Sequence, residues 1–130
     1  TNVLLKYPFP SFVGEKYCGE GLIWYKIALR YKLRYFSQPV ILTDYYPDGL
    51  TALGVKKRVY SPQTTLVTYS ELSKMDIPVR YRIKFMINFW RFFFCDEQNS
   101  WRIKIKMMDL YTVIFFPLGY FLYLIDHLKK

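Results

Sequence analysis

The stretch from Leu110 to Ile125 (LYTVIFFPLGYFLYLI) restricts the fold of this chain more than any other feature. It is apolar over sixteen residues and runs into Asp126-His127-Leu128-Lys129-Lys130. A surface of that extent has to be covered by the rest of the chain, by another copy or by lipid. Interrupted by Pro117 and Gly119, it is short for a membrane span, which needs about 20 residues. The expectation is a helix that lies in a core or at an interface and drives membrane contact or self-association.

The other 114 positions do not offer an ordinary soluble coat. Aromatic residues make up 21% of the chain, with 13 Tyr and 11 Phe, while the net charge is +9. Disordered chains are poor in aromatics, so disorder is excluded. A basic coat over a large apolar surface favours an anionic partner: a membrane surface, a nucleotide diphosphate or nucleic acid. At 130 residues the chain is one domain at most. Cys18 and Cys95 are the only cysteines and His127 the only histidine, which excludes an ordinary Cys/His zinc site. Two lone thiols fit a reducing cytoplasm, as small buried apolar residues. The chain starts at Thr1 without a Met or a signal-peptide pattern, and the expectation is a piece of something longer.

Along the chain, Pro8, Pro10 and Gly14 mark an irregular opening segment. The spacing of Trp24, Ile27, Ala28 and Tyr31 predicts a helix from about Gly19. Leu33, Tyr35, Phe36 and then Val40-Ile41-Leu42 beyond Pro39 read as a short strand pair ending near Tyr46, with Pro47-Asp48-Gly49 as a turn. Ser61-Pro62 is a helix start, an N-cap followed by Pro at the first helical position, and that helix should fade before Ile77-Pro78. A longer helix is predicted from Val79 to Cys95, with Ile83, Met86, Ile87, Trp90 and Phe94 on its apolar face. Asp96 to Ser100 is a polar break. Trp101–Met107 (WRIKIKM) alternates strictly as a strand would, yet no neighbouring strand pattern offers a partner, and a helix is expected.

No glycine-rich phosphate loop, no Ser/His/Asp set and no DxD is present. The segment Gly14 to Thr51 (GEKYCGEGLIWYKIALRYKLRYFSQPVILTDYYPDGLT) nevertheless resembles bacterial family 2 inverting glycosyltransferases of surface-polysaccharide loci, in the region after their metal-binding half. In that family an acidic pair opens a helix and a Trp follows four residues after the second acid. Glu20 and Trp24 hold that frame here, with Trp24-Tyr25-Lys26-Ile27-Ala28 continuing it; Gly19 replaces the first acid and Glu20 the usual Asp. Tyr45-Tyr46-Pro47-Asp48-Gly49-Leu50-Thr51 looks like the family's Tyr-x-x-Gly-Leu-Thr/Ser tail, and a looser likeness runs to the terminal FPLGYFLYL.

The resemblance implies the C-terminal portion of a GT-A fold: a helix-rich α/β fragment with a short strand pair and first helix in 1–54, then three or four helices in a C-terminal extension, 55–130. It implies hexosyl transfer from a nucleotide-sugar to a polysaccharide or lipid-linked acceptor, at the cytoplasmic face of the inner membrane. Glu20 falls on the catalytic base, which takes the proton from the acceptor hydroxyl. Trp24, Glu15, Asp44 and Asp48 become acceptor-binding candidates. The divalent metal, Mg or Mn, that steadies the departing diphosphate is expected in the full-length parent, because the DxD that holds it lies upstream. The same residues have plainer roles: Glu20 at a helix dipole, Trp24 in a core, Glu15 in solvent, Asp44 and Asp48 in a turn. Two non-enzymatic alternatives stand beside the transferase. One is a basic amphipathic membrane-surface module, since Arg80 to Lys106 holds seven Lys/Arg against two acids among Phe and Trp. The other is nucleic-acid binding, disfavoured because no reader motif is present. Orphaned apolar surface should also promote homo-oligomers, including dimers.

Overall fold

The computed structural model describes residues 2–17, 19–32, 34, 37–39, 41, 44, 46–47 and 53–128. Seven α-helices appear among them: α1 (Asn2–Leu5), α2 (Glu20–Ala28), α3 (Lys56–Val59), α4 (Pro62–Lys74), α5 (Val79–Phe92), α6 (Trp101–Lys106) and α7 (Phe116–Leu128). Two 3₁₀ turns, Phe93–Cys95 and Leu110–Phe115, extend α5 and lead into α7.

α5 is the hub. It packs on α4 along one side and on α7 along another. Its apolar positions recur at helical spacing, and Met86, Phe89, Trp90 and Phe92 are buried. With Leu66 from α4, Phe93 and Met108 they form the larger core cluster. Ring edges lock it: Phe89 and Phe116 both meet Trp90 edge-on, at centroid distances of 5.6 and 5.4 Å. A smaller cluster joins Leu22, Ile23 and Ile27 of α2 to Leu72 of α4, and so fastens the N-terminal part to the helical part.

The expected strand pair is corrected. The described residues are 63% helical and none is in a strand. Of the segment expected to pair, Arg34, Ser37, Gln38, Pro39, Ile41, Asp44 and Tyr46 are all exposed. A strand pair holds only when one face is buried and further strands or a helix cover it; these positions bury no face. Leu33, Tyr35, Phe36, Val40, Leu42 and the turn at Asp48-Gly49 lie outside the described residues, as does Cys18. The C-terminal part holds five helices rather than three or four, because the Asp96–Ser100 break and the 3₁₀ turns divide the sequence more finely.

α6 confirms the helical alternative for WRIKIKM, with Ser100 as N-cap accepting from the Arg102 N–H. Its burial pattern does not follow its hydropathy. Trp101, Ile103 and Ile105 are exposed while Lys104 is buried. The Lys104 ammonium donates to the carbonyls of Phe93 (2.9 Å) and Asp96 (2.6 Å) and lies over the Phe93 ring. Those carbonyls belong to the turn that ends α5, where helical acceptors run out. Burial pushes the Lys104 pKa down, and the Asp96 carboxylate pulls it partly back.

Candidate functional site

The residues singled out near the N-terminus fall around the start of α2 and the start of α4. Glu20 is the first residue of α2 and is exposed, where a carboxylate favours the helix dipole. Trp24, one turn on, is 51% exposed and stands outside both core clusters. The two side chains share one outward face of α2. Asp44 is exposed, and Asp48 lies outside the described residues.

Glu15 is held differently from a solvated loop acid. Its carboxylate accepts from the N–H groups of Gln63 and Thr64, both at 2.8 Å, and from the Thr64 hydroxyl at 2.5 Å. It therefore caps α4 from 48 residues away in the chain. Ser61 precedes Pro62 as the sequence suggests, but its hydroxyl accepts from the Tyr17 N–H and makes no cap bond to α4.

Gly19 has a packing reason. A Cβ there would stand 2.3 Å from the Thr68 Oγ1 and 2.7 Å from its methyl carbon. The start of α2 presses on α4 too closely for any side chain, so position 19 cannot carry a carboxylate in this packing.

The second candidate is the C-terminal surface. Leu110–Leu128 forms 19 residues of mean hydropathy 1.3, long and apolar enough to cross a membrane by length and composition, and only 11% of it is buried. Its inner face rests on α5. Pro117 sits in the first turn of α7, where its missing N–H has no consequence. Gly119 is the contact point, since a Cβ would lie 2.4 Å from the Trp90 Cβ and 2.8 Å from the Ile87 carbonyl oxygen. The Trp90 indole N–H donates to the Thr112 carbonyl at 2.9 Å. Near the other end, Arg91 grips Asp126 with two hydrogen bonds of 2.6 and 2.7 Å. That carboxylate raises the Arg91 pKa further, against partial burial. The outer face carries Leu110, Ile114, Leu118, Phe121 and Leu128, all exposed. Leu118 and Leu122 line a groove with Arg80, Lys84 and Arg91 of α5, so cations border the apolar face.

Among the described residues no group of His, Cys, Asp and Glu could hold a metal ion. Comparison of the chain with family models, curated proteins and solved structures finds no match to any of them. The likeness to family 2 transferases rests on the residues quoted for it.

Proposed function

We propose that this chain attaches to a membrane surface through the outer face of α7 and the 3₁₀ turn before it. One observation carries the reading: the most apolar segment of the chain is also among the least covered. Exposed contiguous apolar surface marks a contact site. Burying a Leu, Ile or Phe side chain contributes about 1.5–3 kcal/mol, and each basic side chain near anionic lipid about 1 kcal/mol. Arg80 and Lys84 at the groove supply such charges.

The segment lies in the interface in this reading and does not cross it. Its inner face is fixed to α5, and α5 brings Arg80, Lys84 and Arg91 with it. Carrying a cation to the bilayer centre costs at least about 2.5 kcal/mol each. A helix docked on such a partner presents one face to lipid. The expected location is the cytoplasmic face of the inner membrane. Flotation with vesicles tests it. The chain should float with phosphatidylglycerol vesicles, less with phosphatidylcholine, and Leu118→Asp with Phe121→Asp should abolish flotation while the fold is kept. Unchanged flotation of that double variant overturns the reading.

A second reading is favoured by the shared outward face of Glu20 and Trp24. In it the chain is the acceptor side of a nucleotide-sugar-dependent transferase, inactive alone, with the metal and donor held elsewhere in a longer parent. Glu20 is the base and Trp24 the surface on which the acceptor stacks. In that parent, Glu20→Gln should lower turnover by about 10²–10⁴-fold with donor binding intact. Wild-type turnover would reduce Glu20 to a helix-dipole partner.

A further inference from the structure

Three segments approach one another near the C-terminal end of α7 and leave a half-open cavity of about 510 Å³ between them. Each presents two residues four apart, which a helical turn brings onto one side: Val55 and Val59 around α3, Arg91 and Cys95 at the end of α5, Tyr123 and His127 on α7. The wall is chiefly apolar. Protein interiors leave few voids larger than a water molecule, and small ligands fill hollows of about 300–1,000 Å³ lined in this way. Tyr123 and Asp126 fall on the Gly119 side of α7, turned away from Leu118 and Phe121. The cavity is therefore separate from the outer face proposed to meet lipid.

The polar groups of the wall are few and unequal. Asp126 is its only carboxylate among the described residues, and both oxygens of that group accept from Arg91. The pair is neutral as a unit. Lys56 also lines the cavity, is exposed, and makes no ion pair among the described residues. Its ammonium is thus the charge left without a counter-ion at the rim. The His127 imidazole, its ring centroid 4.2 Å from that of Tyr123, adds a hydrogen-bonding group to the same wall. A chiefly apolar hollow with one unmatched cation complements a molecule that has an apolar body and a single negative charge. A sugar or a nucleotide diphosphate would leave polar groups unpaired against the valines.

We propose that this cavity binds an amphiphilic monoanion of the fatty-acid class, with its carboxylate at Lys56 and His127 and its hydrocarbon chain between Val55, Val59 and the Tyr123 ring. Val55 and Val59 give the chain an aliphatic floor, and Tyr123 gives it a flat wall. The site goes beyond the attachment of α7 to a membrane and does not depend on it.

Calorimetry of the full chain with decanoate, kept below the concentration at which it forms micelles, tests the site. Saturable binding with a Kd below about 1 mM is expected, and none with decylammonium or uridine diphosphate. Lys56→Glu, a change at an exposed side chain, should weaken binding about five-fold or more. Val59→Trp should block the hollow. If that variant fails to fold, the Cys95 thiol in the wall serves instead: decanoate should slow its alkylation, read on the peptide that carries it, and should do so less in Lys56→Glu. Leu118→Asp with Phe121→Asp should bind decanoate as the wild type does, so a loss of vesicle flotation in that variant concerns the outer face alone. No saturable binding, equal binding of decylammonium, or binding that is lost in Leu118→Asp with Phe121→Asp and unchanged in Lys56→Glu overturns the proposal.

Discussion

Helices α4 and α7 have the same length, 13 residues, and opposite characters. α4 (PQTTLVTYSELSK) is the more polar and is the more deeply buried, with seven residues inside. α7 (FPLGYFLYLIDHL) is largely apolar, and only Gly119 is buried. Both pack on α5, so access to the hub does not separate them. Four of the five buried hydroxyls of α4 find an acceptor nearby, and the short Ser and Thr side chains let α4 approach closely. Of α7, Phe116 packs against that core, and the apolar side chains of its outer face do not. Mean hydropathy therefore does not rank the burial of these two helices. On this account the outer face of α7 is unfilled because its partner is lipid.

The sharpest way to break the comparison is to push α7 off the hub. Gly119→Val places a Cβ against the Trp90 Cβ and the Ile87 carbonyl oxygen, and backbone cannot give way cheaply. A loss of about 3 kcal/mol is expected in urea titrations, at the upper end of overpacking effects. Gly21→Val would meet nothing within 4 Å and should show no comparable loss. Asp126→Asn comes next. The Arg91 and Asp126 side chains remain 21% and 19% exposed, so solvent screening holds the cost to about 1–2 kcal/mol. Glu15→Gln attacks α4, where losing the charged cap should cost about 1 kcal/mol, read as a lower thermal midpoint.

The smallest effect concerns pH. Burial raises the Tyr69 pKa, with the Arg58 charge pulling it partly back. A tyrosine so shifted keeps its proton longer in the folded than in the unfolded chain. Its contribution is intact below about pH 10 and is lost as pH climbs through the raised value. Tyr69→Phe should flatten that part of the decline in urea midpoints above about pH 10. An unchanged slope would place the alkaline sensitivity elsewhere.

Helices were legible where periodicity and punctuation agreed. Val79 to Cys95 emerges as α5 plus its 3₁₀ turn, and Ser61-Pro62 does open α4. What stayed hidden depends on distant segments. Glu15 gives no local sign that it caps a helix 48 residues on, and Lys104 gives none that it will be buried to bind two carbonyls. Gly119 looked like an interruption of an apolar run, although it is the residue that lets α7 touch α5. The strand pair failed for a related reason. β-type residues from Leu33 to Tyr46 were assigned by local preference, which tertiary context overrides when no sheet exists to join. At the candidate sites, the exposure of Glu20 matches its place at a helix start.

The central claim is that the outer face of α7 belongs against lipid, and nitroxide labels at Leu118→Cys and Phe121→Cys test it most directly. On adding phosphatidylglycerol vesicles, both labels should gain collisions with oxygen and lose collisions with a water-soluble nickel chelate, while a label at the exposed Gln38→Cys should not change. Labels that remain water-exposed with vesicles present, or that become shielded without lipid as chain concentration rises, would contradict the claim, and the second result would assign the face to another copy of this chain.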